Sequence, residues 1–146
     1  METTAESDFM TRFRGRFESA LRWHNLDELW LTVRNDAENW YIYQVGADVP
    51  TDVSSAARLN TFIDELDELL RAEHQEDYCG IVYADDLRAP TMIKVYDPNN
   101  LGVSCGFSDN PPTPGWVISR VKPVAIGAER VVPAGRRRWW RRFLRN

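Results

Sequence analysis

Few residues of this sequence combine the types and the spacing that catalysis needs, and the first candidate is a cysteine close to two glycines. Cys105 stands in a Gly-Val-Ser-Cys-Gly run, in which the glycines allow a sharp turn that would leave the thiol accessible. A nucleophilic cysteine needs a base or another influence that lowers its pKa, and only His24 and His74 offer an imidazole. No motif links either histidine to Cys105. Because the glycines would leave the thiol accessible, the alternative function is a thiol-dependent or small-ligand-binding enzyme that uses the Cys105 loop.

A metal or cofactor site has little support. The two cysteines, Cys79 and Cys105, and the two histidines lack the paired spacing that is typical of zinc ligands. The Walker phosphate loop, the GxGxxG dinucleotide motif and the GxSxG nucleophile elbow are absent from the sequence as well. We expect no metal, no cofactor and a protein that binds a partner rather than an enzyme. Cys79, in a predicted strand, is expected in the core.

The pattern that most clearly indicates a function lies in residues 136–146, which we call the tail. On a helix, with about 100° per residue, its apolar side chains share one arc and most of its arginines take the opposite side. Such a helix suits an anionic membrane surface, where indole rings sit at headgroup depth, and it also suits an acidic groove on a partner protein. The candidate binding residues are Arg137, Arg138, Trp139, Trp140, Arg141, Arg142, Phe143 and Arg145.

Charge is segregated along the chain. Residues 1–135 hold 12 of the 18 Lys and Arg and all 22 Asp and Glu, a net −10, whereas the tail carries six arginines and no acid. This asymmetry predicts that the tail binds a partner protein or an anionic membrane surface. Nucleic acid is not expected as the partner, because the acidic body would repel phosphates.

Two further properties of the tail bear on how it would act. A helix this short is marginal in water, because nucleation is costly, so we expect the tail to be disordered until it meets a surface. The acid pairs Asp64-Glu65 and Asp67-Glu68 are expected to form the solvated face of a helix. A tail that only aids solubility, or that rests on this acidic helix of its own domain, remains an alternative.

Length and composition bound the class of protein. A chain of 146 residues with 43% apolar and 27% charged residues is typical of one globular domain. The first residues are acidic and lack the basic and apolar regions of a signal peptide, and no apolar run is long enough to span a membrane. We expect a cytoplasmic protein, or one peripheral to the inner membrane face, with reduced thiols and no transmembrane segment.

Hydrophobic spacing predicts the first elements. Phe9, Phe13, Phe17 and Leu21 recur every four positions and predict an amphipathic helix over 7–22. Alternation over 29–33 and an aromatic, β-branched run over 40–45 predict a β-hairpin. Whether the aromatic residues of this region face the core or the solvent stays open; they are Trp30, Trp40, Tyr41 and Tyr43.

The rest of the chain predicts a second helix and three more strands. The helix covers about 52–74, with Thr51, Asp52 or Ser54 as its N-cap. Strands are predicted over 78–84 and 91–96, joined as a hairpin, and over 116–121, with a long Pro- and Gly-rich loop over 97–115. We therefore predict an α+β fold, mainly an antiparallel sheet of about five strands with two amphipathic helices packed on it. The domain is expected to cover 1–121, followed by a linker over 122–135 and the tail.

Overall fold

The chain folds into an antiparallel sheet with helices on both of its faces. The computed structural model describes residues 4–99, 113–126 and 134–144, and in these residues there are five strands and four helices. The helices are α1 (Thr4–Phe13), α2 (Trp23–Arg34), α3 (Ala56–Glu73) and α4 (Ala134–Leu144). The strands are β1 (Glu18–Ser19), β2 (Tyr41–Gln44), β3 (Val82–Ala84), β4 (Met92–Val95) and β5 (Trp116–Ser119). The predicted α+β class and five-stranded antiparallel sheet are confirmed.

The strands lie in the order β1-β3-β4-β5-β2, and every neighbouring pair is antiparallel. The predicted hairpin between β3 and β4 is present, with Val82 opposite Val95. Asp85 holds its turn together, because its carboxylate accepts hydrogen bonds from the backbone N–H groups of Thr91 and Met92 at 2.8 and 3.1 Å. β2 pairs with β5 and forms one edge of the sheet, and β1 forms the other.

Both faces of the sheet are apolar, and each is covered. Side chains alternate along β5, so that Trp116 and Ile118 belong to one core cluster and Val117 to another. The larger cluster lies on the face covered by α2, α3 and α4. The smaller cluster includes Phe9 of α1, and residues 121–126 pack against it. The sheet is therefore the middle of three layers, which we call the α4 side, the sheet and the α1 side.

The aromatic residues around β2 are mostly core. Trp30, Trp40 and Tyr43 are buried, and Tyr41 is half-buried. The indole N–H of Trp40 donates to the carbonyl oxygen of Asp36 at 2.8 Å, and the guanidinium of Arg120 lies 4.0 Å from the Trp40 ring centroid. These aromatics therefore serve packing rather than an exposed binding surface.

The strand predicted over 29–33 is wrong, because this segment belongs to α2. The buried side chains of α2 are Leu26, Leu29, Trp30 and Val33, which follow helical spacing, whereas Leu31, central to the apparent alternation, is 60% exposed. The side-chain Oδ1 of Asn25 accepts from the N–H of Arg22 at 3.0 Å and helps to start the helix. Because α2 replaces that strand, β2 takes β5 as its partner.

The two predicted helices, over 7–22 and about 52–74, differ in length from the helices of the structure. α1 ends at Phe13, and the chain turns at Gly15 before Phe17, so the predicted helix over 7–22 is too long. Phe9 and Phe13 still stack, with ring centroids 6.0 Å apart. α3 matches its prediction closely, but Ser55 is its N-cap, with Oγ accepting from the N–H of Arg58 at 3.1 Å.

The N-cap of α3 yields a stability prediction. Ser55→Ala removes the side-chain acceptor of the Arg58 N–H group and is expected to lower the free energy of unfolding by about 1 kcal/mol. Urea denaturation measures the change. Thr51→Ala is the matched control and is expected to have almost no effect, because the Thr51 hydroxyl contacts only the Asp52 carboxylate at 3.3 Å. Equal losses in the two variants would contradict the assignment of the cap.

Candidate functional site

The tail forms α4, which packs on the domain. The ring of Trp139 lies edge-on to that of Trp116, with centroids 5.6 Å apart, and both Trp139 and Trp140 lie about 6 Å from the ring of Phe62, at 6.0 and 6.1 Å. Trp140 is buried and Trp139 half-buried. Tertiary packing of this kind supplies the stability that so short a helix lacks in water. The structure thus differs from the expected disordered tail and shows the alternative in which the tail rests on its own domain.

Arg136 fixes α4 to the domain through two carboxylates. Its Nε and Nη2 donate to Asp97 at 2.9 and 3.1 Å, and its Nη1 and Nη2 donate to Glu73 at 3.2 and 2.6 Å. Arg136 is 8% exposed and Asp97 1% exposed. Burial alone would lower the pKa of the Arg136 guanidinium, but the hydrogen bonds and charges of Asp97 and Glu73 raise it above its ordinary value.

Three other arginines of α4 have described side chains, and they border two different grooves. Arg138, with Trp139, lines a groove beside the acidic residues Glu65 and Glu68 of α3. Arg137 and Arg141 are exposed and stand one helical turn apart. They border a second groove, on the other flank of α4, which faces residues 46–54 of the loop after β2.

We call this second cavity the α4 groove; its volume is about 530 Å³, within the range of about 300–1,000 Å³ typical of ligand sites. Ile42, Phe62 and Trp140 supply apolar surface. The cations around it are Arg58, Arg137 and Arg141, and the anions are Asp48 and Asp52 of the facing loop. Its formal charge is therefore +1, in a protein of net charge −4. The α4 groove combines an apolar lining with a cationic wall.

Gln44 adds a polar group to the α4 groove. The residue is 1% exposed, and its Oε1 accepts a hydrogen bond from the indole N–H of Trp116 at 3.1 Å. This bond fixes the orientation of the amide, since only the oxygen can accept from an indole. Among the described residues no acceptor binds its Nε2, which remains a donor for a group that enters the groove.

The sequence-based site residues fall into three groups. Arg137, Arg138, Trp139, Trp140 and Arg141 lie together on α4, but the indoles face the domain and the arginines do not. Arg142 and Phe143 belong to α4, and their side chains lie outside the described part of the structure. Arg145 and Cys105 lie outside the described residues altogether.

The second cysteine and a histidine have structural roles. Cys79 is fully buried, and burial raises the pKa of its thiol, as expected of a core cysteine. The Nε2 of His74 lies 2.9 Å from the carbonyl oxygen of Cys79. Because a carbonyl only accepts, His74 carries its proton on Nε2 and donates to this loop. Within the described residues, no group of three His, Cys, Asp or Glu is placed to hold a metal ion.

Sequence reasoning missed the groups that organise this site. On the helical projection of the tail Arg136 falls within the apolar arc, unlike the other arginines, and this exception was the signal of an inward-facing charge. Arg58 and Gln44 gave no signal, because a lone arginine on a helix and a glutamine at the end of a strand are both common at surfaces.

No family model, curated protein or solved structure matches the chain. Among the described residues, no helix has the length and apolar character needed to cross a membrane.

Loss of the Arg136 network is expected to weaken the attachment of α4. Arg136→Met removes the guanidinium that pairs with Glu73 and with the buried Asp97, and we expect the free energy of unfolding to fall by about 3 kcal/mol, as for other broken buried ion pairs. Urea denaturation, followed by tryptophan fluorescence, measures the loss. Arg138→Met, on the exposed side of the same helix, is the control and is expected to change it by less than about 0.5 kcal/mol. Similar losses in both variants would refute a special role for Arg136.

Burial of Cys79 makes a prediction about thiol reactivity. In a Cys105→Ser variant, where Cys79 is the remaining thiol, alkylation by iodoacetamide is expected to stay slow until denaturant unfolds the protein. The reason is that burial both blocks access and raises the thiol pKa, so that little thiolate forms. Mass spectrometry of the time course in buffer and in urea checks this. Equal rates in the two conditions would show that Cys79 is accessible.

Proposed function

We propose that this protein is an interaction protein whose α4 groove binds an acidic, apolar-bearing segment of a partner protein. The observation that carries the proposal is the placement of Arg137 and Arg141, both exposed, beside the apolar surface of Trp140 and Phe62. Cations at the rim attract an acidic segment, and apolar side chains of the segment would lie on the aromatic floor.

Three features support a protein segment as the ligand. The groove lies between a helix, α4, and the loop of residues 46–54, an arrangement in which an extended segment can lie alongside the helix. The Gln44 Nε2 is a donor suited to a backbone carbonyl or a carboxylate. The acids Asp48 and Asp52 on the opposite rim favour a segment that carries a mixture of acidic and polar side chains over a dense polyanion.

A membrane surface is the weaker candidate for the same arginines. Insertion of indoles at headgroup depth would require Trp139 and Trp140 to leave Phe62 and Trp116. It would also require Arg136 to leave Glu73 and the buried Asp97, and removal of one partner from a buried ion pair is costly. Binding through the docked helix avoids both costs.

The test uses the full chain and a fluorescein-labelled peptide of alternating glutamate and leucine as the probe. We expect saturable binding by fluorescence anisotropy that weakens as salt is raised, because exposed charge pairs are screened. Arg137→Gln/Arg141→Gln is expected to weaken binding about three- to thirtyfold, since each exposed ion pair contributes roughly 0.3–1 kcal/mol. A peptide with glutamine in place of glutamate is expected to bind more weakly to the wild-type protein.

The matched control is Arg14→Gln/Arg16→Gln, which removes the same charge from two exposed arginines after α1. Equal weakening by the two double variants would mean that net charge alone acts, and would refute the α4 groove as the site. Vesicles that contain phosphatidylserine form the other arm of the test. Tighter binding to vesicles than to the peptide, accompanied by a change in tryptophan fluorescence, would favour the membrane instead.

A further inference from the structure

The α1 side of the sheet carries a lysine with no carboxylate partner. Lys94 lies in β4, opposite Tyr83 of β3, and is half-buried. Its Nζ lies 4.2 and 3.9 Å from the ring centroids of Phe13 and Phe17. In the described part of the chain it makes no ion pair or hydrogen bond, so these two rings provide its electrostatic stabilisation.

A cavity of about 380 Å³ opens beside this ammonium; we call it the Lys94 cavity. Its walls are largely aromatic, with Phe17, Tyr83 and Tyr96, and the two tyrosine rings meet edge to face at 5.7 Å. Gly15 and Gly80 also line it and add no side chain to the space. Gly80 has a φ of 67°, and a Cβ there would come within 3.1 Å of the Tyr78 ring, so this wall requires glycine. The volume is that of a site for a small molecule.

The polar side chains that line the Lys94 cavity, Tyr83, Lys94 and Tyr96, can each donate a hydrogen bond. Neither phenol hydroxyl, of Tyr83 or Tyr96, has a hydrogen-bond partner among the described residues, and the Lys94 ammonium has none either. Burial lowers the pKa of Lys94 and raises that of Tyr96, as happens where lost hydration is not replaced by an opposite charge. One ammonium and two phenol hydroxyls, with no carboxylate among the residues that line the cavity, form a site that favours an anion.

We propose that the Lys94 cavity binds a small monocarboxylate with an aromatic body. The carboxylate pairs with Lys94 Nζ and accepts from the phenol hydroxyls, and the apolar body lies against Phe17, Tyr83 and Tyr96. One cation balances one negative charge, so a carboxylate fits better than a phosphate dianion, whose second charge would be buried without a partner. Lys94 faces the α1 side, and no residue that lines the Lys94 cavity also lines the α4 groove, so this proposal is independent of the proposed partner binding.

Phenylacetate and its neutral isostere phenylacetamide test the proposal on the unmodified full chain by isothermal titration calorimetry. We expect saturable binding of phenylacetate and at least about tenfold weaker binding of the amide, because a charge-assisted hydrogen bond is replaced by a neutral one. Absence of saturable phenylacetate binding, or equal affinity for the two compounds, overturns the proposal.

Variants locate the site. Lys94→Met keeps an unbranched side chain and removes a partly buried charge, so we expect it to fold, and to bind phenylacetate at least about tenfold more weakly. Tyr83→Phe removes one hydroxyl only and is expected to lose about three- to tenfold, which provides a second test if Lys94→Met does not fold. Arg137→Gln/Arg141→Gln, on the other side of the sheet, is the control and is expected to bind normally. Unchanged phenylacetate affinity in folded Lys94→Met or in Tyr83→Phe overturns the proposal.

Discussion

An antiparallel sheet that is apolar on both faces must be covered on both, and the arrangement of this protein follows from that constraint. Along β5 the alternating residues Trp116 and Val117 are each fully buried, in different clusters. α2 and α3 cover one face together with α4, whose Trp139 reaches Trp116. On the other face α1 ends at Phe13, and beyond its end lies the Lys94 cavity. Each candidate site thus lies beside a helix that covers the sheet, at a point where a strand presents a polar side chain: Gln44 of β2 or Lys94 of β4.

Arg136 explains how a helix so rich in arginine can serve as part of that cover. A buried guanidinium is costly unless its donors are satisfied, and here three nitrogens are shared between Asp97 and Glu73. In the sequence, negative charge is concentrated in residues 1–135. Part of that negative charge, on Asp97 and Glu73, is the counter-charge of Arg136. The same helix can then point its indoles inward and leave other arginines at the surface. Docking and surface charge are therefore two consequences of one amphipathic pattern.

The sequence predicted what depends on local spacing and failed where distant contacts decide. α3 and the β3–β4 hairpin were predictable, since their apolar spacing is strong and their turn residues are distinctive. α2 was mistaken for a strand, because the alternation around Leu31 hid the helical spacing that begins at Leu26. Of the sites, the arginines of α4 were foreseeable as a cluster. Lys94 was not, because a lysine in an alternating strand ordinarily faces solvent, and only α1 and Phe17 enclose it.

The alternation of β4 also determines how the two sites relate. Ile93 and Val95 belong to the cluster on the α4 side, whereas Lys94 between them faces the α1 side, so the sheet separates the two cavities. Sites that share no side chain are expected to act additively, and each ligand would stabilise the folded state by its own binding free energy. The partial burial of Lys94 carries a desolvation cost, which its contacts with the rings of Phe13 and Phe17 offset in part. A carboxylate bound as proposed would offset the rest of that cost, because it would place an opposite charge beside the ammonium.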